Sequence, residues 1–399
     1  MKKLLLAVIA LSLVTPLFFG CDRITNIKSP VKLKWRNKVA SLFINCYPVV
    51  MNGVIYVGNS PYYIYAIDKE TGKLKWEFYE DEISFDSPKV VNDVVYVVGS
   101  RRGAQVKHYL YAINATSGKL KWRFCLGVSG MHYYSPAIVN GIIYIIGANY
   151  YLYAVDANSG ESLWYFKTED AITSSTPAVV DGVLYIVSEN HLFVIDANNR
   201  ELKRRFKVRK PLSVFPSVVK GVVYVGSLDG YLYAIDTYGG EQRWYVKMGS
   251  FNVSSSIVDN DVLYIKDGRK YFFAIDTNNG ELKWRFKTGS YIAATPTVVD
   301  GVAYVGSFDN CLYAIDADTG ELKWRFETGG VIFYSFSVVD GIVYVGSRDK
   351  NLYVVDANSG ELIWKYSTEY SITSNIIVDD GVIYFVTEDG YVYALKIKK

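Results

Sequence analysis

Cysteine is scarce in this chain, with four residues in 399, at positions 21, 46, 125 and 311. Their wide spacing contains no Cys-x-x-Cys pair, which excludes a disulfide framework, a zinc site and a haem attachment. Cys46, Cys125 and Cys311 therefore read as small buried thiols. Histidine is scarcer still, at three; His132 stands alone in its loop and is read as structural or exposed. A charge excess of either sign is also missing. The 43 basic and 40 acidic residues leave no whole-protein field suited to a nucleic-acid backbone. Helical periodicity and long linkers are absent beyond residue 20. What is present is half hydrophobic and 16% aromatic, with 35 tyrosines. That composition fits a globular chain with one large core or one closed repeat array.

The first twenty residues differ from the rest. Lys2 and Lys3 precede an almost wholly apolar run, Leu4 to Phe19, which falls short of the ~20 residues a spanning helix needs and suits an export signal. Gly20-Cys21 resembles the lipobox of bacterial lipoproteins, although Phe18 stands where those usually carry Leu. The resemblance implies cleavage before Cys21 and its lipidation. Removing Lys2 and Lys3 leaves 41 basic residues against 40 acidic, a net charge of about +1. The expected divisions are a signal peptide over 1–20, a linker over 21–30 and one folded domain over 31–399.

Internal repetition dominates that domain. A turn dipeptide, mostly Asn/Asp followed by Gly/Asp, precedes x-x-Tyr, ending at Tyr56, Tyr96, Tyr144, Tyr185, Tyr224, Tyr264, Tyr304, Tyr344 and Tyr384. Seven of the eight spacings are 39–41 residues, and one is 48. Each copy continues through a segment such as "CLYAID" and a Gly-bearing turn to a tryptophan. The eight tryptophans, Trp35, Trp76, Trp122, Trp164, Trp244, Trp284, Trp324 and Trp364, all occupy this one position. In the fourth copy the slot holds Arg204, and Arg200 replaces the glycine. Each copy reads as four short strands, the first three joined by two-residue type I′ turns and the last two by a loop with Gly in the left-handed region. Such units predict an all-β fold: a single β-propeller, nine-bladed by count, with eight the alternative. An orphan fourth strand at residues 32–37 and a final unit lacking its fourth strand predict ring closure by pairing the chain ends.

The segment "AIDADTGELKW" (Ala314 to Trp324) resembles the tryptophan-docking motif of quinoprotein alcohol dehydrogenases and their non-enzymatic PQQ-like relatives. The resemblance spans about residues 31–397 and implies that each Trp lies between neighbouring blades, where truncation to Ala should cost roughly 3–5 kcal/mol. Enzymes of that family place a quinone and calcium on the propeller axis beside an adjacent Cys-Cys pair. This chain has no Cys-Cys pair and no covering insertions, so no cofactor and no catalytic residue are expected.

Loops from each fourth strand to the next first strand share the axial face with the second-to-third hairpins. They are rich in aromatics and hydroxyls, among them Phe43, Phe85, Tyr133, Tyr134, Phe215, Phe251, Tyr291, Phe333, Tyr334 and Tyr370. These either form an interaction surface or plug the axis. Carboxylates there are Asp81, Glu82, Asp86, Glu169, Asp170 and Glu369. The aberrant fourth copy supplies a basic candidate partner patch, Lys203, Arg204, Arg205, Lys207, Arg209 and Lys210, which Arg101, Arg102 and Lys107 could join; the alternative is a solvated blade edge. An exported, lipidated propeller is similar to the outer-membrane assembly lipoproteins of this repeat type. That similarity implies a monomeric, non-catalytic scaffold, held to a membrane by its lipid, that binds protein partners such as the barrel-assembly machinery. A quinone- or metal-dependent dehydrogenase and a surface glycan- or ligand-binding protein are the other classes consistent with the sequence.

Overall fold

Nine turns organise the chain. In a computed structural model, both turn residues have positive φ at Asn52-Gly53, Asn92-Asp93, Asn140-Gly141, Asp181-Gly182, Lys220-Gly221, Asn260-Asp261, Asp300-Gly301, Asp340-Gly341 and Asp380-Gly381. This is the type I′ geometry that lets two strands fold back with their natural twist. The structure describes residues 31–39, 47–59, 62–101, 103, 106–128, 135–147, 150–172, 176–207, 216–237, 241–249, 254–334 and 336–398. The signal segment, the linker, Cys21, Cys46, Arg102, Arg209 and Lys210 lie outside them, as do His132, Phe43, Tyr133, Tyr134, Phe215 and Phe251.

Each turn begins a four-stranded antiparallel blade, and nine such sheets form the propeller. Blade 7 is representative, with strands Thr297–Val299, Val302–Gly306, Cys311–Asp316 and Leu322–Glu327 in sequential order. Blades 1 to 8 occupy residues 49–79, 83–128, 137–167, 178–207, 217–247, 254–287, 297–327 and 337–367. Blade 9 joins the chain ends. The strand Val31–Lys38 pairs antiparallel with Tyr391–Ile397, setting Val31 opposite Ile397 and Trp35 opposite Ala394. The second and third strands of every blade are buried on both faces, so their runs of Val, Ile, Leu and Tyr are nearly continuous.

Two expectations change. In blades 5 to 9 the second-to-third turns are four-residue loops rather than two-residue type I′ turns. In Ser227–Gly230 the Gly230 N–H donates to the Ser227 carbonyl at 2.9 Å, and only Gly230, at φ 84, is left-handed. The extra residues let the hairpin reach back to the loop entering its own blade. Blade 2 also differs: its longer hairpin extends the second strand to Arg101, and Ile83–Phe85 pairs with that extension as a fifth strand. Phe85 is consequently buried, packed edge-on against Phe78 and Tyr111, and is not part of a surface.

Candidate functional site

The repeated acid, glycine and tryptophan are all consumed by the ring itself. Asp316 Oδ1 accepts from the Thr319 backbone N–H at 2.9 Å and from its hydroxyl at 3.1 Å. These bonds hold the carboxyl below the usual carboxylate range, the Thr319 N–H contributing most. Gly320 lies at φ 76, where a Cβ would fall 2.5 Å from Trp284 of the preceding blade. The Trp284 indole N–H donates to the Ala317 carbonyl at 2.9 Å. The same carbonyl accepts from the Tyr264 hydroxyl at 3.2 Å, and the Tyr264 and Trp284 rings are in contact, 5.9 Å between centroids. Blades 1, 2, 6 and 7 each grip the next in this way with two prongs, a Trp and the Tyr that follows the turn dipeptide. Six indoles make this bond, from Trp35, Trp76, Trp122, Trp244, Trp284 and Trp324. Among the described residues Trp164 and Trp364 make none; they face the two blades that lack the turn glycine.

On the axial face, a threonine four residues past Trp164, Trp284, Trp324 and Trp364 ties down the loop that follows. Thr328 Oγ1 donates to the carbonyls of Asn310 and Gly330, at 2.8 and 2.6 Å, and Thr168, Thr288 and Thr368 repeat the arrangement. The six axial carboxylates are almost all spoken for. Asp81 accepts from the Tyr79 hydroxyl, Glu82 pairs with Arg101, Glu169 with Arg205, Asp170 with His191 and Glu369 with Arg36. Asp86 has no side-chain partner among the described residues, and burial pushes its carboxyl up to about 7. No three His, Cys, Asp or Glu side chains converge as a cation site among the described residues.

What this face leaves exposed is a ridge of rings. Tyr291 contacts Phe308 at 6.3 Å, Phe308 contacts Phe333 at 5.4 Å, and Phe333 contacts Tyr334 at 4.9 Å. Tyr334 of blade 8 then meets Tyr47, on the loop entering blade 1, at 6.4 Å. Arg348 lies over the Phe333 ring, 5.0 Å from its centroid. Tyr291, Phe308, Phe333 and Tyr47 are all exposed. Tyr370 is exposed as well, apart from this chain of contacts.

The basic residues of blade 4 do not form one cluster. Arg204, Arg205 and Lys207 share the strand Leu202–Lys207, whose alternation sends Arg204 to the face opposite Lys203 and Arg205. Lys203 pairs with Asp196 at 2.9 Å and Arg205 with Glu169 at 2.8 Å, on the side of blade 3. Arg204 faces blade 5. Arg101 pairs with Glu82 within blade 2 at 3.2 Å.

The model of the family described as outer membrane protein assembly factor BamB matches four segments, residues 32–148, 148–258, 228–332 and 327–399, nearly the whole propeller. The chain belongs to this family. No curated protein sequence matches it. Among solved structures, BamB from Moraxella catarrhalis is similar at 15% identity and a TM-score of 0.60, covering 92% of this chain and 99% of that one. A computationally designed protein, Ika8, is similar at 13% identity and a TM-score of 0.63, covering 92% and 100%. The quinohemoprotein alcohol dehydrogenase ADHIIG from Pseudomonas putida HK5 gives 15% and 0.59, covering 92% of this chain and 76% of that one. An assembly factor, an oxidoreductase and a designed protein share this fold, so function rests on the surfaces and not on the fold.

Within this BamB-type propeller, three features escape sequence reading. The repeated Tyr marks the repeat, but its hydroxyl bond to the next blade needs coordinates. Phe308 could have been found, because it occupies the hairpin position of Leu228 and Arg348 on the same face. Tyr47 lies just beyond the loop it serves, and nothing in its surroundings signals a contact with Tyr334 two blades away.

Proposed function

We propose that the chain is a non-catalytic, extracytoplasmic scaffold of BamB type, anchored through a lipid on Cys21 and docking a protein partner of outer-membrane assembly on its axial face. The observation that carries this reading is the exposed ridge Tyr291–Phe308–Phe333–Tyr334–Tyr47. Rigid aromatics dominate the energetics of protein interfaces, while the neighbouring polar groups are committed to the ring. Affinity capture from native membranes tests it. The wild-type chain should recover barrel-assembly components, and the double variant Phe308→Ala/Phe333→Ala should lose at least 90% of that recovery while keeping its melting temperature within a few degrees. Recovery of none by the wild type, or equal recovery by both, overturns the reading. Replacing Cys21 by Ser should release the chain into the soluble fraction of fractionated cells.

A further inference from the structure

Around the aromatic ridge the acids are engaged and the cations are not. Every Asp and Glu from residue 31 onward lies among the described residues, so no undescribed loop holds a hidden carboxylate. Blades 5, 7, 8 and 9 carry an acid third in the four-residue hairpin, at Asp229, Asp309, Asp349 and Asp389. Asp309 and Asp349 turn theirs inward. They accept the Gly289 and Gly329 N–H groups at 2.6 Å, and the Tyr313 and Tyr353 hydroxyls at 2.7 and 2.5 Å. Blade 6 places Arg269 at that position, followed by Lys270. Its hairpin backbone is fixed from both sides. The buried Asp267 accepts the Arg269 and Tyr271 N–H groups at 2.8 and 3.0 Å. The Arg269 and Lys270 carbonyls accept from Ile292 and Thr288, on the way into blade 7, at 2.7 and 2.9 Å. Arg269 and Lys270 thereby line an open hollow of about 270 Å³ with Gly289, Ser290 and Tyr291, the first ring of the ridge. Neither has an ion-pair partner among the described residues, and Arg348, over the Phe333 ring, has none either. Lys266, just before the hairpin, buries its ammonium against the Ala293 and Ala294 carbonyls at 2.8 and 3.2 Å. Glu327, exposed on the outer strand of blade 7 opposite Cys311, pairs with none of these cations.

We propose that the ridge and these cations form one docking surface for an acidic, apolar segment of a partner protein. Carboxylates of that segment enter the hollow at Arg269 and Lys270, and its apolar side chains continue over Phe308 and Phe333. The sign follows from charge complementarity. A neutral or basic segment would cover two cations without a counter-charge, which costs desolvation energy that nothing returns. The direction follows from position, because the paired cations stand beside Tyr291 at the blade 6 end, while Arg348 offers a single contact at mid-ridge. Affinity on such a surface comes mainly from the buried rings, and the charges set orientation and speed of encounter. The preference is local, since the mature chain as a whole is close to neutral. This inference rests on the scaffold reading and adds the charge and direction of the segment that docks.

The test is fluorescence anisotropy of labelled, capped hexapeptides titrated with the purified full chain. The acidic peptide Asp-Glu-Gly-Leu-Phe-Leu is compared with its amide counterpart, Asn-Gln-Gly-Leu-Phe-Leu. The acidic peptide should bind at least tenfold tighter, and added salt should narrow the difference. The double variant Arg269→Glu/Lys270→Glu should reverse the preference in favour of Lys-Lys-Gly-Leu-Phe-Leu, with its melting temperature unchanged. Phe308→Ala/Phe333→Ala should weaken the acidic and amide peptides alike. Equal binding of those two peptides by the wild type, a preference that survives the charge reversal, or no binding of the acidic peptide overturns the proposal. Binding to phosphatidylglycerol vesicles in place of the peptide also overturns it, in favour of a membrane surface. The ridge reading fails separately, by the membrane capture described above, so the two failures are distinguishable.

Discussion

A tryptophan's contribution depends on the residue it meets across the junction. Trp324 is buried, abuts Gly360 and donates to the Ala357 carbonyl at 2.9 Å. Trp324→Ala should cost roughly 3–5 kcal/mol in urea denaturation, the usual range for emptying a buried Trp site. Trp164 meets Arg200 in place of glycine and makes no indole bond among the described residues, so Trp164→Ala should cost clearly less. Asp86 gives a second residue-level prediction. Its carboxyl is raised from an unfolded value of 3.8 to about 7 by burial, so the native state binds the extra proton between those pH values. Stability from this group is fully present below about pH 4 and is lost as pH rises through 7. Asp86→Asn should therefore change stability little at pH 4 and stabilise at pH 8 by up to about 4 kcal/mol. Urea curves for both proteins at the two pH values check this; a gain that does not grow with pH would contradict it.

At the scale of the element, the third-to-fourth loop shows how far the sequence alone could be read. The motif announces its own chemistry, since Asp caps the turn, Gly alone takes the left-handed position without strain, and Trp needs a flat surface beyond it. Where the pattern fails, the backbone does not. Arg200 adopts φ 60 and keeps the N–H bond to the Asp196 carbonyl at 3.0 Å. Arg200→Gly should relieve that conformation and stabilise by about 1 kcal/mol, less whatever the freer glycine loses in the unfolded chain; thermal unfolding of the pair measures it. Blade number and ring closure were legible for the same reason, because repetition averages away local ambiguity. The candidate surfaces were not. The alternation that splits Arg204 from Arg205 is visible in sequence, but which blade each face meets is not. The Tyr47–Tyr334 contact joins residues 287 positions apart through the curvature of the whole ring, which no local pattern encodes.

On the scale of the molecule, a closed ring is as strong as its weakest junction, and two junctions stand at opposite extremes. Where blade 9 meets blade 1, Trp35 sits on Gly72 and donates to the Lys69 carbonyl at 3.1 Å, and Asn37 donates to the Gly72 carbonyl at 2.8 Å. The largely buried Lys69 ammonium reaches Asp379 and Asp380, each at 2.7 Å, and Lys34 meets Glu70 at 2.6 Å. Exposed ion pairs contribute little singly, but these lie over an indole already docked. The chain break itself lies inside blade 9, between Tyr391–Ile397 and Val31–Lys38, and the Lys69 pairs tie blade 1 to the C-terminal side of that break, the point at which a propeller would otherwise unzip. The junction of blades 4 and 5 lacks the indole, Arg204 standing in its place, and it is the natural place for local opening. Native-state hydrogen exchange should show it. Amides of Leu202–Lys207 and Tyr231–Asp236 should exchange through openings of lower free energy than those of Val31–Lys38 and Tyr391–Ile397, and Arg204→Trp should narrow the difference. Equal protection at the two junctions would mean that the ring distributes strain evenly.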